Sequence, residues 1–365
     1  MKSSFVCFSL LLLCFSACRS DTIPTPSDDK KITYVDFDEA IGAQRIGKTY
    51  FQKHKLDQKR YEVCSSVWKE QSSKFSLSEK EVSKEVAPTT PKIPKSIHQV
   101  WLDDEPLPKH FKKYAKTWRD KHPDWQYRLW RKENLGELSQ EIQQLVNETP
   151  EVYEKENIVR AAVLEKFGGL AVDFEFECLK AVDDLHFKYD FYTSLEPPLL
   201  KSQFDRVLQI GTGFIASAVN HPIVKKWLDE MKLRLKRNSL QFDEPREKNL
   251  WATYASFGDV VDEMLAKNQY GAVVLPPTYA YPISPRWIYS FNKTEYLKQK
   301  RSPKKSIQKI LSKQECPLFS KVQPESFAVN RAGGTWGKMR ARPKLAKTAI
   351  IRPDSVDTGK NTPPS

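Results

Sequence analysis

Beyond its first 17 residues the sequence has no apolar run long enough to cross a bilayer, which takes about 20 residues in a helix. Cysteine is scarce. Three of the six lie at Cys7, Cys14 and Cys18, leaving Cys64, Cys178 and Cys316. With no Cys-x-x-Cys and no Cys/His spacing, a disulfide framework and a zinc site are excluded, although one pair could form in an oxidising compartment. No internal repeat is visible, which removes solenoids and propellers. Arginine-rich blocks and the motifs of nucleic-acid readers are also missing, so the formal charge of +13 is not assigned to nucleic acid. The charge suits another anionic partner, such as a sugar nucleotide, an acidic glycan or a membrane surface.

What is present is a chain of 365 residues, 39% hydrophobic and 12% aromatic, enough for one large core with appendages. Residues 1–17 carry Lys2, an apolar run from Phe5 to Phe15 and then Ser16-Ala17-Cys18, the pattern of an export signal. Small residues before a cysteine resemble a bacterial lipoprotein cleavage box, with Cys18 lipidated as a membrane anchor. An ordinary secreted product and a Golgi type II membrane protein are the alternatives. Residues 18–36 have a tether's composition, 37–91 read as a helical appendage, and 338–365 read as a basic tail expected to be disordered.

The stretch 156–179, ENIVRAAVLEKFGGLAVDFEFECL, organises the chain. Ile158, Val159, Ala162, Leu164 and Phe167 recur at helical spacing, with Asn157 as the expected N-cap and Gly168-Gly169 as the stop. A strand over 172–177 is expected to follow. Period two would put Asp173, Glu175 and Glu177 on one face and Val172, Phe174 and Phe176 on the other. Such carboxylates either line the wet face of an antiparallel strand or hold a hard ion, Mn²⁺ or Mg²⁺.

Upstream, 96–102 reads as a strand that ends in Trp101, placed to stack on a base or to pack in the core. Residues 111–121 read as a helix and 125–130 as a second, parallel strand. Downstream come Phe191-Tyr192 as a strand, then a strand, turn and helix over 210–231, with His221 starting the helix or touching substrate. Ser256 or Asp259 is expected to cap a helix, or to line the acceptor side with Phe257 and Gly258. Strands over 272–275 and 327–330 complete the pattern, the latter followed by Gly333-Gly334 and Thr335-Trp336.

Arg160, Leu164, Gly168, Gly169, Asp173, Glu175, Cys178 and Leu179 together resemble the DXD glycosyltransferases related to the yeast initiating α-1,6-mannosyltransferase and, more distantly, the clostridial glucosylating toxins. The segment IPKSIHQVW, which carries Gln99 and Trp101, is similar to that family's first strand. The resemblance covers residues 92–337. It implies an α/β fold of GT-A type, a single Rossmann-like domain with a mixed, mainly parallel sheet and an N-terminal helical appendage. It also implies transfer of a hexose, with retention, from a UDP- or GDP-sugar to a glycan, lipid or protein acceptor.

In this reading Asp173, Glu175 and Asn330 hold Mn²⁺ or Mg²⁺, and Asp173, Glu175 and Arg160 carry the chemistry. Gln99, Trp101, Asn157, Arg160, Asp173, Thr335 and Trp336 bind the donor. The sequence departs from the pattern at Asn157 and Glu175, where the family has Asp, at Ala171 for Tyr, and at Asn330 for a metal-binding His. An inactive surface lipoprotein that binds glycan or nucleotide is the second reading. If Cys18 is the lipidated residue, an alkyne fatty acid fed to cells will label the wild type and not Cys18→Ser. Equal labelling of both would remove the anchor.

Overall fold

The computed structural model describes residues 32–43, 54–81, 90–198, 206–236, 250–267, 271–283 and 321–331. The signal, most of the tether, Cys18, Thr335, Trp336 and the basic tail therefore lie outside the described residues.

Two N-terminal helices, α1 (Phe37–Ile41) and α2 (Lys55–Glu81), precede an alternation of strands and helices. Strand β1 (Ser96–Val100) leads through α3 (Lys109–Lys121) to β2 (Gln126–Trp130). Helix α3 buries Phe111, Ala115 and Trp118, an i, i+4, i+7 stripe, and exposes its lysines, while Tyr114, which the sequence pattern puts on one side with Ala115 and Trp118, is only half-buried. Then follow α4 (Gln140–Glu148), α5 (Val152–Phe167), β3 (Gly169–Val172), β4 (Phe176–Cys178), α6 (Asp183–Lys188), β5 (Phe191–Leu195), β6 (Ile210–Ser217) and α7 (Pro222–Lys236). The described chain ends with α8 (Ser256–Leu265), β7 (Ala272–Leu275), the short α9 (Pro277–Ala280) and β8 (Ala328–Asn330).

The main sheet has the order β2-β1-β3-β6-β5-β7. Strand β1 is parallel to β2 and β3, β5 is parallel to β7, and β6 runs antiparallel to both of its neighbours. This is the α/β fold with a mixed, mainly parallel sheet that the sequence predicts. Because every strand but β6 shares one direction, the residues after β1, β2, β3, β5 and β7 emerge along one edge, where open α/β sheets bind ligands.

Gly168 and Gly169 turn α5 into β3 with φ of 62° and 93°, a region that costs glycine little. Space matters as much as conformation. A Cβ on Gly169 would meet Ser96 Oγ at 2.1 Å, so only glycine lets β3 lie against β1.

Three local expectations give way to the tertiary structure. Helix α5 begins at Val152, five residues before the expected cap, because Glu154 and Glu156 are buried within it and do not end it. Asn157 is thus an interior helical residue with 0% exposure. The expected strand over 172–177 is split by a tight turn in which Phe176 N–H bonds Asp173 O at 3.1 Å. The carboxylates part accordingly: Asp173 reaches Arg160, while Glu177 takes Arg331 at 2.6 Å. Phe174 joins Trp101 and Phe111 in a small apolar cluster, and Phe176 packs on Phe214 and Tyr281. Strand β4 then pairs with β8 in a separate two-stranded ladder. Finally, Ser256 and Asp259 cap nothing. A π-helical turn, Trp251–Ala255, runs straight into α8, Ser256 Oγ donates to Ala252 O, and Asp259 accepts from Arg206 and Arg234. His221, by contrast, does start its helix, its Nδ1 accepting from Ile223 N–H at 3.3 Å.

The N-terminal helices join the same hydrophobic core as the sheet. Phe37, Ile41, Cys64, Val67 and Trp68 belong to it, and Trp68 meets Tyr279 edge-on at 5.1 Å. Polar groups lock this packing. Asp57 accepts the N–H groups of Val207 and Leu208, both at 2.9 Å. Arg60, 1% exposed, donates twice to Asp262 Oδ2 and Oδ1 at 2.8 Å and once to Leu208 O at 2.7 Å. Gly258 is glycine to admit that guanidinium, since a Cβ there would lie 2.6 Å from Arg60 Nη2.

Removing one partner of such a buried pair strands the other charge, at a cost of about 3 to 5 kcal/mol. Asp262→Ala should therefore lose about that much unfolding free energy in a denaturant titration, and Arg60→Met with Asp262→Leu should recover most of it. A single variant within about 0.5 kcal/mol of wild type would show that the clamp carries no stability.

Candidate functional site

Three of the residues expected to act together, Asn157, Arg160 and Asp173, meet at the edge where the parallel strands end. Asp173 follows β3, with its N–H bonded to Gly213 O of β6 at 2.9 Å, so the ladder fixes its backbone. Its Oδ1 accepts from Arg160 Nη2, and Arg160 Nη1 donates to Asn157 Oδ1. Arg160 is buried, while the Asp173 side chain keeps 29% exposure and so faces open space. Burial pushes the Asp173 carboxyl up from its ordinary value, and Arg160 opposes that shift. Gly213 is required beneath it: an added Cβ would lie 2.7 Å from Asp173 Oδ2 and 2.9 Å from Phe176.

Helix α5 forms one wall. Tyr153 lies one turn before Asn157, and its hydroxyl is 3.4 Å from Thr212 Oγ1 near the start of β6. Glu156 accepts from Leu102 N–H at 3.2 Å just past β1, and burial pushes its carboxyl up to about 8. Across β6, Glu196 is the first residue after β5. Tyr254 donates to it at 2.9 Å, and burial raises it to about 7, with the Asp173 charge adding to the shift. Tyr281 closes over Gly211, where a Cβ would meet its hydroxyl at 2.1 Å.

The sequence reading missed Glu156, Tyr153, Glu196, Tyr254 and Tyr281. Glu196 had a signal available: as the residue after β5 in YTSLE, it stands at the carboxyl end of a parallel strand, the same position that singled out Trp101. The tyrosines had none, because nothing in their local sequence shows which aromatic faces a crevice.

The other candidates are distributed unevenly. Trp101 is 5% exposed, edge-on to Phe111 and Phe174, with its indole N–H bonded to Glu105 O at 2.8 Å. Gln99 is fully buried, accepting from Tyr127 at 2.7 Å, and its Nε2 has no hydrogen-bond partner. Glu175 is 4% exposed, and its carbonyl accepts from Arg331 N–H at 2.8 Å. The register of β4 and β8 sets Asn330 opposite Phe176, the residue after Glu175, so the chain brings Asn330 back beside the acidic turn. Cys64 and Cys178 are buried free thiols.

Asp173, Glu175 and Asn330 offer only oxygen or amide donors, the kind that Mg²⁺ and Mn²⁺ accept. Among the described residues no group of three or more His, Cys, Asp or Glu converges as a cation cage. It is the oxygen chemistry of the set that suits a hard ion.

A helix carrying Arg160, the Gly168-Gly169 turn and Asp173 after β3 are elements on which the DXD glycosyltransferase resemblance rests. That resemblance is borne out: residues 108–192 match the family described as glycosyltransferase sugar-binding region containing DXD motif. The chain is 26% identical over 163 residues to a mannosyl phosphorylinositol ceramide synthase of Saccharomyces cerevisiae, which covers 44% of this chain and 40% of that one. It is 30% identical over 105 residues to the initiation-specific alpha-1,6-mannosyltransferase of Candida albicans, covering 25% and 26% of the two chains. The match thus spans less than half the length of either of these two relatives. Among solved structures, the PaToxG glycosyltransferase aligns at 17% identity with a TM-score of 0.37, covering 58% of this chain and 84% of that one.

Gly213→Ala should push Asp173 off Arg160 while leaving the β3–β6 ladder intact. The expected result is a melting temperature close to wild type together with loss of Mn²⁺-dependent nucleotide binding by calorimetry. Unchanged binding would show that the position of Asp173 is immaterial.

Proposed function

We propose that the protein transfers a hexose from a UDP- or GDP-sugar to a glycan, lipid or protein acceptor, with retention and with a divalent ion. The observation that carries this reading is the Arg160–Asp173 pair. A buried cation fixes one carboxylate oxygen, and the rest of the carboxylate is exposed at the strand-end edge. Its place within the segment that matches the sugar-binding family supports the same assignment. The two relatives named for mannosyl transfer favour a hexosyl donor.

Cleavage of a sugar from a nucleoside diphosphate leaves negative charge on the departing phosphate, and stabilising that charge is the main catalytic task. A bound Mn²⁺ or Mg²⁺, held by Asp173 and Glu175 with Asn330 alongside, would supply charge neutralisation for the diphosphate. The chain's own residues do the rest. Arg160 holds Asp173 in place by hydrogen bonding and opposes the upward push that burial gives its carboxyl. Glu156 and Glu196, shifted toward neutrality, can hydrogen-bond sugar or acceptor hydroxyls as neutral acids without repelling the phosphate. The apolar cluster of Trp101, Phe111 and Phe174 walls the crevice beside β1, where the resemblance puts the base. We assign Thr335 and Trp336 to closure over the diphosphate on the resemblance alone.

The acidic turn is read as an ion site and not as the acid and base of a glycoside hydrolase. That pair flanks the scissile bond about 5 to 9.5 Å apart, whereas Asp173 and Glu175 share one turn. Purified protein assayed over a panel of UDP- and GDP-hexoses should hydrolyse one of them slowly with Mn²⁺ and not with EDTA. Asp173→Asn with Glu175→Gln should reduce that rate at least about a hundredfold while leaving the melting temperature within a few degrees. A double variant as active as wild type would place the chemistry elsewhere. Hydrolysis of no donor, with nucleotide binding retained, would favour the binding-protein reading.

A further inference from the structure

We propose that the outer face of α3 docks on an anionic phospholipid bilayer and so holds the strand-end crevice at a membrane surface. Docking of this kind gives the proposed transferase a place of action, and it stands independently of which donor the crevice takes.

Helical spacing defines the face. Phe111, Ala115 and Trp118 fill the buried side of α3, while Lys109, Lys112, Lys113, Lys116 and Arg119 follow one another at three- and four-residue intervals on the exposed side. Asp120 is the helix's only acid, and Lys116 takes it at 2.6 Å. Lys109, Lys112 and Lys113 pair with no carboxylate among the described residues. In the loop before the helix, Asp103 accepts from Glu105 N–H and Asp104 is bonded to Lys132.

This charge works against the helix that carries it. Like charges three or four residues apart repel. Lys109 and Lys112 also stand in the first turn, which holds no acid, where the helix dipole disfavours a cation. Helix stability therefore gives no reason for the face, and an anion from outside does. Four of the five cations are lysines, point charges on flexible stems that answer a diffuse field, and the one arginine is laid over the Tyr127 ring at 5.1 Å. Phe111 and Trp118, which could stack on nucleic-acid bases, are both buried. An anionic leaflet is the diffuse field that suits such a row, and it is worth about fivefold in affinity per charge.

The buried side of α3 is fastened to the site. Phe111 lies edge-on to Trp101, just past β1, and stacks on Phe174 of the acidic turn at 6.2 Å. The Trp118 indole N–H donates to Phe176 O, and Thr117 Oγ1 accepts from Cys178 N–H, both at 2.9 Å. Because α3 joins two parallel strands it runs back against them, so its beginning, with Lys109, Lys112 and Lys113, lies at the edge where the strands end. A bilayer met by this face lies beside the crevice, and the helix that meets it also holds the acidic turn.

The test uses the full chain without nucleotide, so its outcome is separate from that of the glycosyl-transfer reading. Wild type and the combined variant Lys109→Gln, Lys112→Gln, Lys113→Gln are sedimented with phosphatidylcholine vesicles, with and without phosphatidylserine, over a range of salt. Wild type should bind the phosphatidylserine vesicles, more weakly as salt rises, and the variant should lose about a hundredfold in affinity, three charges at about fivefold each. Its melting temperature should be unchanged or higher, since two of the charges oppose the helix dipole. Other basic stretches of the chain also attract such vesicles, so lysine acetylation of the bound wild type is read residue by residue by mass spectrometry. Lys109, Lys112 and Lys113 should be protected, and Lys225 should not, because it is exposed on α7, which packs on the opposite face of the sheet. Failure of the wild type to bind phosphatidylserine vesicles, equal affinity in the variant, or unprotected lysines on α3 overturns the proposal. So does binding as tight to phosphatidylcholine alone, or tighter binding of a single-stranded oligonucleotide at the same salt, which would give the face to nucleic acid.

Discussion

The site depends on one buried guanidinium. Arg160 is 3% exposed, and a charge in that position is stable only if its surroundings answer it. Asp173 and Asn157 do so on separate nitrogens. The remaining geometry can be read as what this requires. Helix α5 must bring Arg160 to the strand-end edge, Gly168 and Gly169 must turn the chain into β3 without bulk, and Gly213 must leave room for the carboxylate. An alanine at any of the three glycines would displace backbone or ion pair before it touched substrate.

A second buried arginine plays the corresponding role for the N-terminal helices. Arg60 on α2 meets Asp262 on α8, and Arg206 and Arg234 extend the network through Asp259. Arg206 lies four residues before β6, and Tyr254, which hydrogen-bonds Glu196, lies in the π-helical turn that feeds α8. The clamp therefore ties α2 to the elements that carry Tyr254 and Glu196, and among the described residues the N-terminal helices act on that region through packing and through Asp57 and Arg60.

Much of this was legible because local pattern and tertiary role agree. The alternation of β1, α3 and β2, the glycine pair, β5 through α7, and β7 all follow from period and punctuation. Arg160, Asp173 and Asn157 are brought together as the sequence implied. What was not legible turned on long-range partners. Nothing local says that Glu154 and Glu156 will be buried and let α5 start at Val152, or that Phe174 will leave the sheet for Trp101 and break the acidic strand into a turn. The polar look of 37–91 suggested an appendage because the answering charges, at Asp262 and on the Val207 and Leu208 amides, stand some 150 to 200 residues away. Among the described residues no helix is long and apolar enough to cross a membrane.

The proposed function requires that the crevice take a nucleoside diphosphate through its acidic turn. Calorimetric titration of UDP and of GDP into the full chain, with Mn²⁺ and again with EDTA, addresses this directly. The prediction is saturable binding of one nucleotide at one site, lost on chelation and restored by added Mn²⁺. Binding of equal strength in EDTA, or none of either nucleotide with Mn²⁺ present, would contradict it.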